Sequence, residues 1–332
     1  MIFHPAIIAL LVGSALSCMM ALYAAVKGLQ IIRGWDIKSG SERQLVLERT
    51  TYLISTILTY LCGFQLLSLF LMVFTVEQLH TLFVGAMCAA GSLQANAYGY
   101  PALIMKMINF LLAGLWLILN YVDNQAYDYP LIKTKYAFLI FLTPLIILEA
   151  VLQSVYFFGL KPNIITSCCG SIFSADATGI CAEIAALPAL PTQIALLLSF
   201  GMTFAAGILY YRTKKGAYAF AFFSFLSFLL SIAGIISFLS VYIYELPTHH
   251  CPFCLLQKEY GYIGYPLYLL LFGGTIMGVA VGILTPFRQI ESLAITLPAL
   301  QRKLTIGALL VFFLFLLLAV YRLMSSGLVL AS

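Results

Sequence analysis

Of the 332 residues, 63% are hydrophobic and 9% charged, against about 25% charged in a soluble globular domain. That balance excludes a soluble fold, and no nucleic-acid partner is expected. The formal charge of +5 is informative through its position along the chain more than through its size.

Eight segments reach the roughly 20 apolar residues that a spanning helix needs: 5–32, 51–76, 101–122, 136–159, 194–211, 217–244, 262–284 and 304–325. The sequence therefore predicts an all-α polytopic membrane helix bundle of about eight transmembrane helices. The N-terminus has no Lys or Arg before its apolar run, so it reads as the first span rather than a secretory signal.

Thirteen of the 17 cations fall on alternate connections. Lys27, Arg33, Lys38, Arg43 and Arg49 follow span one, and Lys133 and Lys135 follow span three. Arg212, Lys214 and Lys215 follow span five, and Arg288, Arg302 and Lys303 follow span seven. By the positive-inside rule these connections are cytoplasmic and both termini are extracytoplasmic. Cys18 and Cys62 fall inside spans, whereas Cys88, Cys168, Cys169, Cys181, Cys251 and Cys254 all fall on the opposite connections. Two independent counts thus select the same face as the oxidising one, where disulfides persist. A bacterial cytoplasmic (inner) membrane is the expected location.

Cys18 and Cys62 read as small packing residues. The stretch 77–100, with His80 and Cys88, is too short for a span and too apolar for a free loop. It suits a re-entrant or interfacial segment covered by protein, in which a helix sets His80 and Cys88 two turns apart. Glu149 in span four is a costly intramembrane carboxylate; a hydrogen bond in its protonated form and a proton relay both remain open.

The longest connection of the oxidising face carries adjacent Cys168 and Cys169, with Cys181 further on. Adjacent cysteines rarely bond to each other, so Cys181 is the expected partner for one of them, as a staple or an exchanging pair. The run AEIAALPALP reads as a short interfacial helix ended by Pro188 and Pro191.

The chemistry concentrates in HHCPFCLLQKEYGYIGY, His249 to Tyr265. A Cys-x-x-Cys pair opens and closes a disulfide and so carries two electrons. If span seven begins at this motif, Cys251 sits at the helix N-cap, where the dipole favours a thiolate, and Pro252 takes the first helical position. Cys254, Lys258, Gly261, Tyr262 and Tyr265 then share one helix face, with Lys258 below Cys254, ready to stabilise a thiolate or a reduced quinone. The alternative for Lys258 and the tyrosines is headgroup snorkelling and an interfacial belt. Leu255 occupies the position where c-type haem attachment needs His, so that chemistry is excluded. His249, His250, Cys251 and Cys254 form a competing copper or zinc ligand set, with Cys168 or Cys169 available to join it.

At CPFCLLQK the chain resembles the bacterial disulfide-bond-formation membrane oxidases, with Gln257 and Lys258 where that family often has Gln-Arg. The order of elements over spans four to seven is similar to the vitamin K epoxide reductase family. The resemblance implies a redox four-helix core at 136–285, with accessory spans over 1–135 and a loop and last span over 286–332. It also implies that Cys251 and Cys254 face a quinone held near Gln257, Lys258, Tyr262 and Tyr265. Cys168, Cys169 and Cys181 then shuttle electrons from an extracytoplasmic thioredoxin-like partner. The expected activity is thiol–disulfide exchange linked to a membrane quinone. The rival is a non-enzymatic subunit or transporter, alone or in a larger membrane complex, that holds a metal or structural disulfides.

Overall fold

The computed structural model describes residues 3–37, 39–161, 165–166 and 180–328, the side chains of 180 and 181 excepted. The helices are α1 (Pro5–Gly34), α2 (Glu42–Leu79), α3 (Ala89–Leu93), α4 (Gly99–Asp123), α5 (Ile132–Phe158), α6 (Ile180–Ala185), α7 (Ala189–Thr213), α8 (Ala217–Gly234), α9 (Ser240–Tyr244), α10 (Gly264–Ile283) and α11 (Thr296–Ser325). A π-helical turn, Ile235–Leu239, joins α8 to α9 without a break. Eight of the resulting helical stretches are long and apolar enough to cross a membrane. All eight expected spans are present, and the chain is an integral membrane protein.

Several helices start earlier than hydropathy indicates, and in α4, α7 and α11 a proline in the first turn is the reason. Pro101, Pro191, Pro266 and Pro298 each occupy the third position of α4, α7, α10 and α11. Proline is tolerated in a first turn because the N–H it lacks has no intrahelical acceptor there. Pro188 and Pro191 therefore do not end a helix: α6 stops at Ala185, Pro188 is the N-cap of α7, and Pro191 lies inside α7. The segment from Thr296 belongs to α11 in the same way, rather than to the preceding loop.

The chain divides into two compact units. The first comprises 1–75, 96–160 and 287–298. Within it α5 packs against α1 and α4. The buried face of α1 carries Ser14, Ser17, Ala21, Ala24 and Gly28, small residues that let helices approach closely where lipid supplies no hydrophobic drive for association. Cys62 is buried in the apolar core with Leu58, Trp116 and Ile146, and the Cys18 thiol points at the Ile146 carbonyl, 3.8 Å away. Both act as packing residues.

Two buried ion pairs cross this unit. Lys106 Nζ lies 2.6 Å from Glu149 Oε1, both side chains nearly inaccessible. Gln65 and Asn109 donate amide hydrogen bonds to Glu149 Oε2 at 3.0 and 2.5 Å, and Lys106 also reaches Ser68 Oγ at 3.2 Å. Glu149 is thus an ion-pair partner and acceptor rather than a lone carboxyl. The second pair is Lys135 Nζ with Asp123 Oδ2 at 2.6 Å, fully buried. Lys135 is accordingly not a solvated loop charge.

The second unit comprises 76–95, 161–286 and 299–332. Here α8 packs against α7 and α10. Ser199, Thr203 and Ser227 form a hydroxyl ladder between α7 and α8, with Thr203 and Ser227 oxygens 2.9 Å apart. The described candidate site residues His249, His250, Cys251, Cys254, Gln257, Lys258, Tyr262 and Tyr265 lie in this unit. The helix at 136–159, grouped with the redox core by sequence, belongs to the first unit as α5, and the second unit takes in most of α11.

Candidate functional site

The His249–Tyr265 stretch does not begin a helix. Cys254–Leu256 and Lys258–Tyr260 are single 3-10 turns, and α10 begins only at Gly264. The left-handed conformations at Gly261 (φ 65°) and Tyr262 (φ 55°) separate those turns from the helix, and Pro266 fixes its first turn. Cys251 is therefore not an N-cap, Pro252 is not a first helical residue, and Cys254, Lys258 and Tyr262 do not share a helix face. The helix-dipole argument for a low thiol pKa falls with that geometry.

The loop is instead anchored through its backbone. The Tyr244 hydroxyl donates to the Cys251 carbonyl at 2.6 Å, and the Tyr268 hydroxyl donates to the Pro252 carbonyl at 2.8 Å. The His250 ring donates from Nδ1 to the Ile236 carbonyl at 3.0 Å, inside the π-helical turn. A π turn reroutes the regular helical hydrogen bonds and is frequent at functional sites. The His249 ring stacks edgewise on Tyr244, centroids 4.7 Å apart, and its Nε2 lies 3.3 Å from Cys254 Sγ.

Cys88 completes the arrangement. After α2 the chain makes a 3-10 turn at His80–Leu82, and Cys88 is extended (φ −160°) just before α3. The expected helix carrying His80 and Cys88 together is absent, and His80 contacts Glu77 instead. The cover expected over this stretch is present only in part: Cys88, Ala89, Ala90 and Ser92 are fully buried, whereas Leu82, Val84 and Met87 are exposed.

Glu77 explains the placement. One carboxylate oxygen accepts the Ala89 N–H at 2.7 Å, and the other accepts from Gln257 Nε2 at 2.7 Å. Gln257 Nε2 also donates to the Met87 carbonyl at 2.9 Å. Glu77 and Gln257 thus clamp the Cys88 segment onto the Cys-x-x-Cys loop from both sides. Val84 accepts the Thr166 N–H at 2.9 Å, and between Val84 and Cys88 lies Gly85 at φ +89°, whose added Cβ would stand 2.3 Å from the Thr166 carbonyl oxygen. Only glycine satisfies both the left-handed backbone and that approach.

The result is a three-sulfur group. Cys88 Sγ and Cys251 Sγ are 3.5 Å apart, and the sulfurs of Cys88, Cys251 and Cys254 all lie within 4.8 Å of one another. Cys88 and Cys251 have 0% exposure and Cys254 has 4%. Burial, with the nearby His250, pushes the His249 imidazole below its ordinary pKa against the opposing pull of Cys88.

Of the other candidates, Lys258 and Tyr262 are exposed on the loop and Tyr265 is half-buried; the two tyrosine rings lie 6.2 Å apart. Cys168, Cys169 and the Cys181 side chain lie outside the described residues. The residues that sequence reasoning did not select are Glu77, Tyr244 and Tyr268. Their roles are contacts across the fold, and the one local trace is an acidic residue at the end of an apolar run.

Replacing Gln257 by Ala removes the two hydrogen bonds of one face of the clamp, together worth about 1–2 kcal/mol. The expected outcome is an approximately tenfold faster alkylation of Cys88 with unchanged helical content, measured by peptide mass spectrometry after timed exposure to a maleimide. An unchanged rate would show that Gln257 does not hold Cys88 in place.

Compared with protein-family models, with curated proteins and with solved structures, the chain matches none of them.

Proposed function

We propose that the chain is a membrane thiol–disulfide oxidoreductase whose centre is Cys88, Cys251 and Cys254. The observation that carries this reading is the contact of the Cys88 and Cys251 sulfurs at 3.5 Å, with Cys254 in the same group. A disulfide needs an S–S separation of about 2.05 Å, so side-chain rotation that closes the gap by roughly 1.5 Å joins Cys88 to Cys251, and Cys254 lies within 4.8 Å of both. Three thiols in contact allow a disulfide to move between partners by thiolate attack.

The reaction is balanced by a membrane quinone. Two thiols lose two electrons and two protons as the S–S bond forms, and the quinone takes up both to become the quinol. The disulfide then passes by exchange to two thiols of an extracytoplasmic thioredoxin-like protein, which end joined as a disulfide while the relay cysteines take up the two electrons and two protons and return to thiols. Cys88 and Cys251 are too buried to meet such a protein directly. The loop bearing Cys168, Cys169 and Cys181 is the docking segment in this reading, and its Thr166 is tied to Val84, close in sequence to Cys88. The cation distribution supports an extracytoplasmic face for all of these cysteines. The order of cysteines and spans, similar to the vitamin K epoxide reductase and disulfide-bond-formation families, supports the quinone, with Lys258, Tyr262 and Tyr265 on its side of the loop.

The test uses the full-length protein in detergent, reduced and then exposed to a short-chain quinone without oxygen. Wild type is expected to lose two thiols for each quinol formed, with Cys88–Cys251 or Cys251–Cys254 linkages in the peptide map. Cys251→Ser is expected to form quinol at under one-tenth of that rate. Equal rates for Cys251→Ser and wild type would overturn the reading.

A further inference from the structure

The three-sulfur group has a property that redox exchange does not require: it is arranged in three dimensions rather than as a pair. A tetrahedral zinc site with Zn–S bonds of about 2.3 Å sets its sulfurs about 3.8 Å apart, and a ligating imidazole nitrogen about 3.5 Å from each sulfur. In the second unit the Cys88 and Cys251 sulfurs are 3.5 Å apart and no pair in the group exceeds 4.8 Å. His249 Nε2 is 3.3 Å from Cys254 Sγ. Among the described residues the group with all ligand atoms within 4.8 Å of one another contains the three cysteines and not His249, so adjustments of about an ångström in the sulfurs must be joined by movement of the His249 ring toward Cys88 and Cys251 to close a four-ligand shell.

The surroundings favour such a shell over a water-filled cleft. The backbone on both sides is fixed by Tyr244, Tyr268 and the Glu77–Gln257 clamp, and bonds of this kind around first ligands set their orientation. His250 is held at Ile236, which leaves His249 as the imidazole on the sulfur side. Half-buried His249 adjoins Cys254, the one residue of the three with any exposure.

We propose that Cys88, Cys251, Cys254 and His249 bind one thiophilic d10 cation, zinc(II) or copper(I), and that the bound ion holds the reduced thiols back from disulfide formation. Thiolate and imidazole donors suit both ions; each bound thiol releases its proton to solvent. The first half of this proposal stands on the sulfur and imidazole geometry alone, and the second rests on the redox reading.

The experiment uses the full chain with Cys168, Cys169 and Cys181 replaced by Ser, reduced and purified without chelator. Zinc(II) and, in a separate anaerobic series, copper(I) are titrated against a chromophoric chelator, and X-ray absorption is recorded on the loaded protein. One ion per chain is expected, with about three sulfurs at ~2.3 Å for zinc. Cys88→Ser is expected to weaken binding at least a hundredfold and His249→Ala about tenfold. No stoichiometric binding of either ion, a shell of oxygen donors, or equal affinity in Cys88→Ser would overturn the site. Because the absorption spectrum is read on protein with all three ligand cysteines intact, a misfolded Cys88→Ser does not leave the question open. Disulfide formation with quinone is then followed on the chain with all its cysteines, with and without one equivalent of zinc. Suppression of at least tenfold is expected, and an unaffected rate removes the regulatory half. If no disulfide forms even without metal, the redox reading fails while the metal titration still decides the site.

Discussion

Lys106→Met is expected to destabilise the protein by about 3–5 kcal/mol, the usual range for removing one partner of a buried ion pair. The substitution keeps an unbranched side chain one heavy atom shorter and removes the ammonium with its hydrogen bonds to Glu149 and Ser68, so the apolar packing of the stem changes little. Glu149 then remains in the interior of the first unit with amide donors from Gln65 and Asn109 but with no cation at 2.6 Å. Two neutral donors do not replace an ammonium for a carboxylate removed from water. Adding Glu149→Gln should restore more than half of the loss, because the amide oxygen still accepts while the buried charge is gone. Thermal unfolding in detergent, followed by helical circular dichroism, gives the comparison. A loss below about 1 kcal/mol for Lys106→Met would mean that Glu149 carries no charge and that the pair is a neutral hydrogen bond.

Gly278→Ala is expected to cost about 1–3 kcal/mol, as overpacking of a close helix contact does, and Gly278→Val more. A Cβ at this position would stand 2.3 Å from Ser224 Oγ and 2.6 Å from Ser224 Cβ. A hydroxyl can rotate away, but a Cβ is fixed to its backbone, so α8 and α10 must separate. Ser224 Oγ also donates to the Phe220 carbonyl at 2.7 Å, which further restricts its movement. The coupled variant Gly278→Ala with Ser224→Gly removes the obstacle and should recover most of the stability, a double-mutant cycle with a coupling of at least 1 kcal/mol. Additive losses would show that the helices do not meet at this pair.

The eight spans were legible because spanning is a local property: each is decided by the hydropathy of about 20 adjacent residues. Their starts were less legible, since proline reads as a helix breaker until its position in the first turn is known. Pro191 and Pro298 illustrate the point, with α7 and α11 each beginning two residues before the proline. The same effect displaced the motif. The Gly261–Tyr262 turn was hidden within an apparently continuous approach to span seven, and its left-handed backbone carries Cys251 and Cys254 off the helix and into a loop.

The polar residues of the spans divide in the same way. Glu149 stood out as an intramembrane carboxylate, yet nothing along the chain marked Lys106 as its partner. Their pairing depends on α4 lying against α5, a contact that no window along one helix contains.

For the candidate site, the sequence by itself marked the stretch on which the proposal rests. Cys251 and Cys254 with His249 are close because they are close along the chain, and their residue types are the ones that the proposed thiol exchange and thiophilic-metal binding need. Only the tertiary structure decided that Cys88 belongs with them. It stands 163 positions from Cys251, beyond the reach of any periodicity, and it is brought there by Glu77 accepting from Ala89 on one side and Gln257 on the other. Local spacing fixes which groups are available; the long-range hydrogen bonds of a buried carboxylate fix which of them meet.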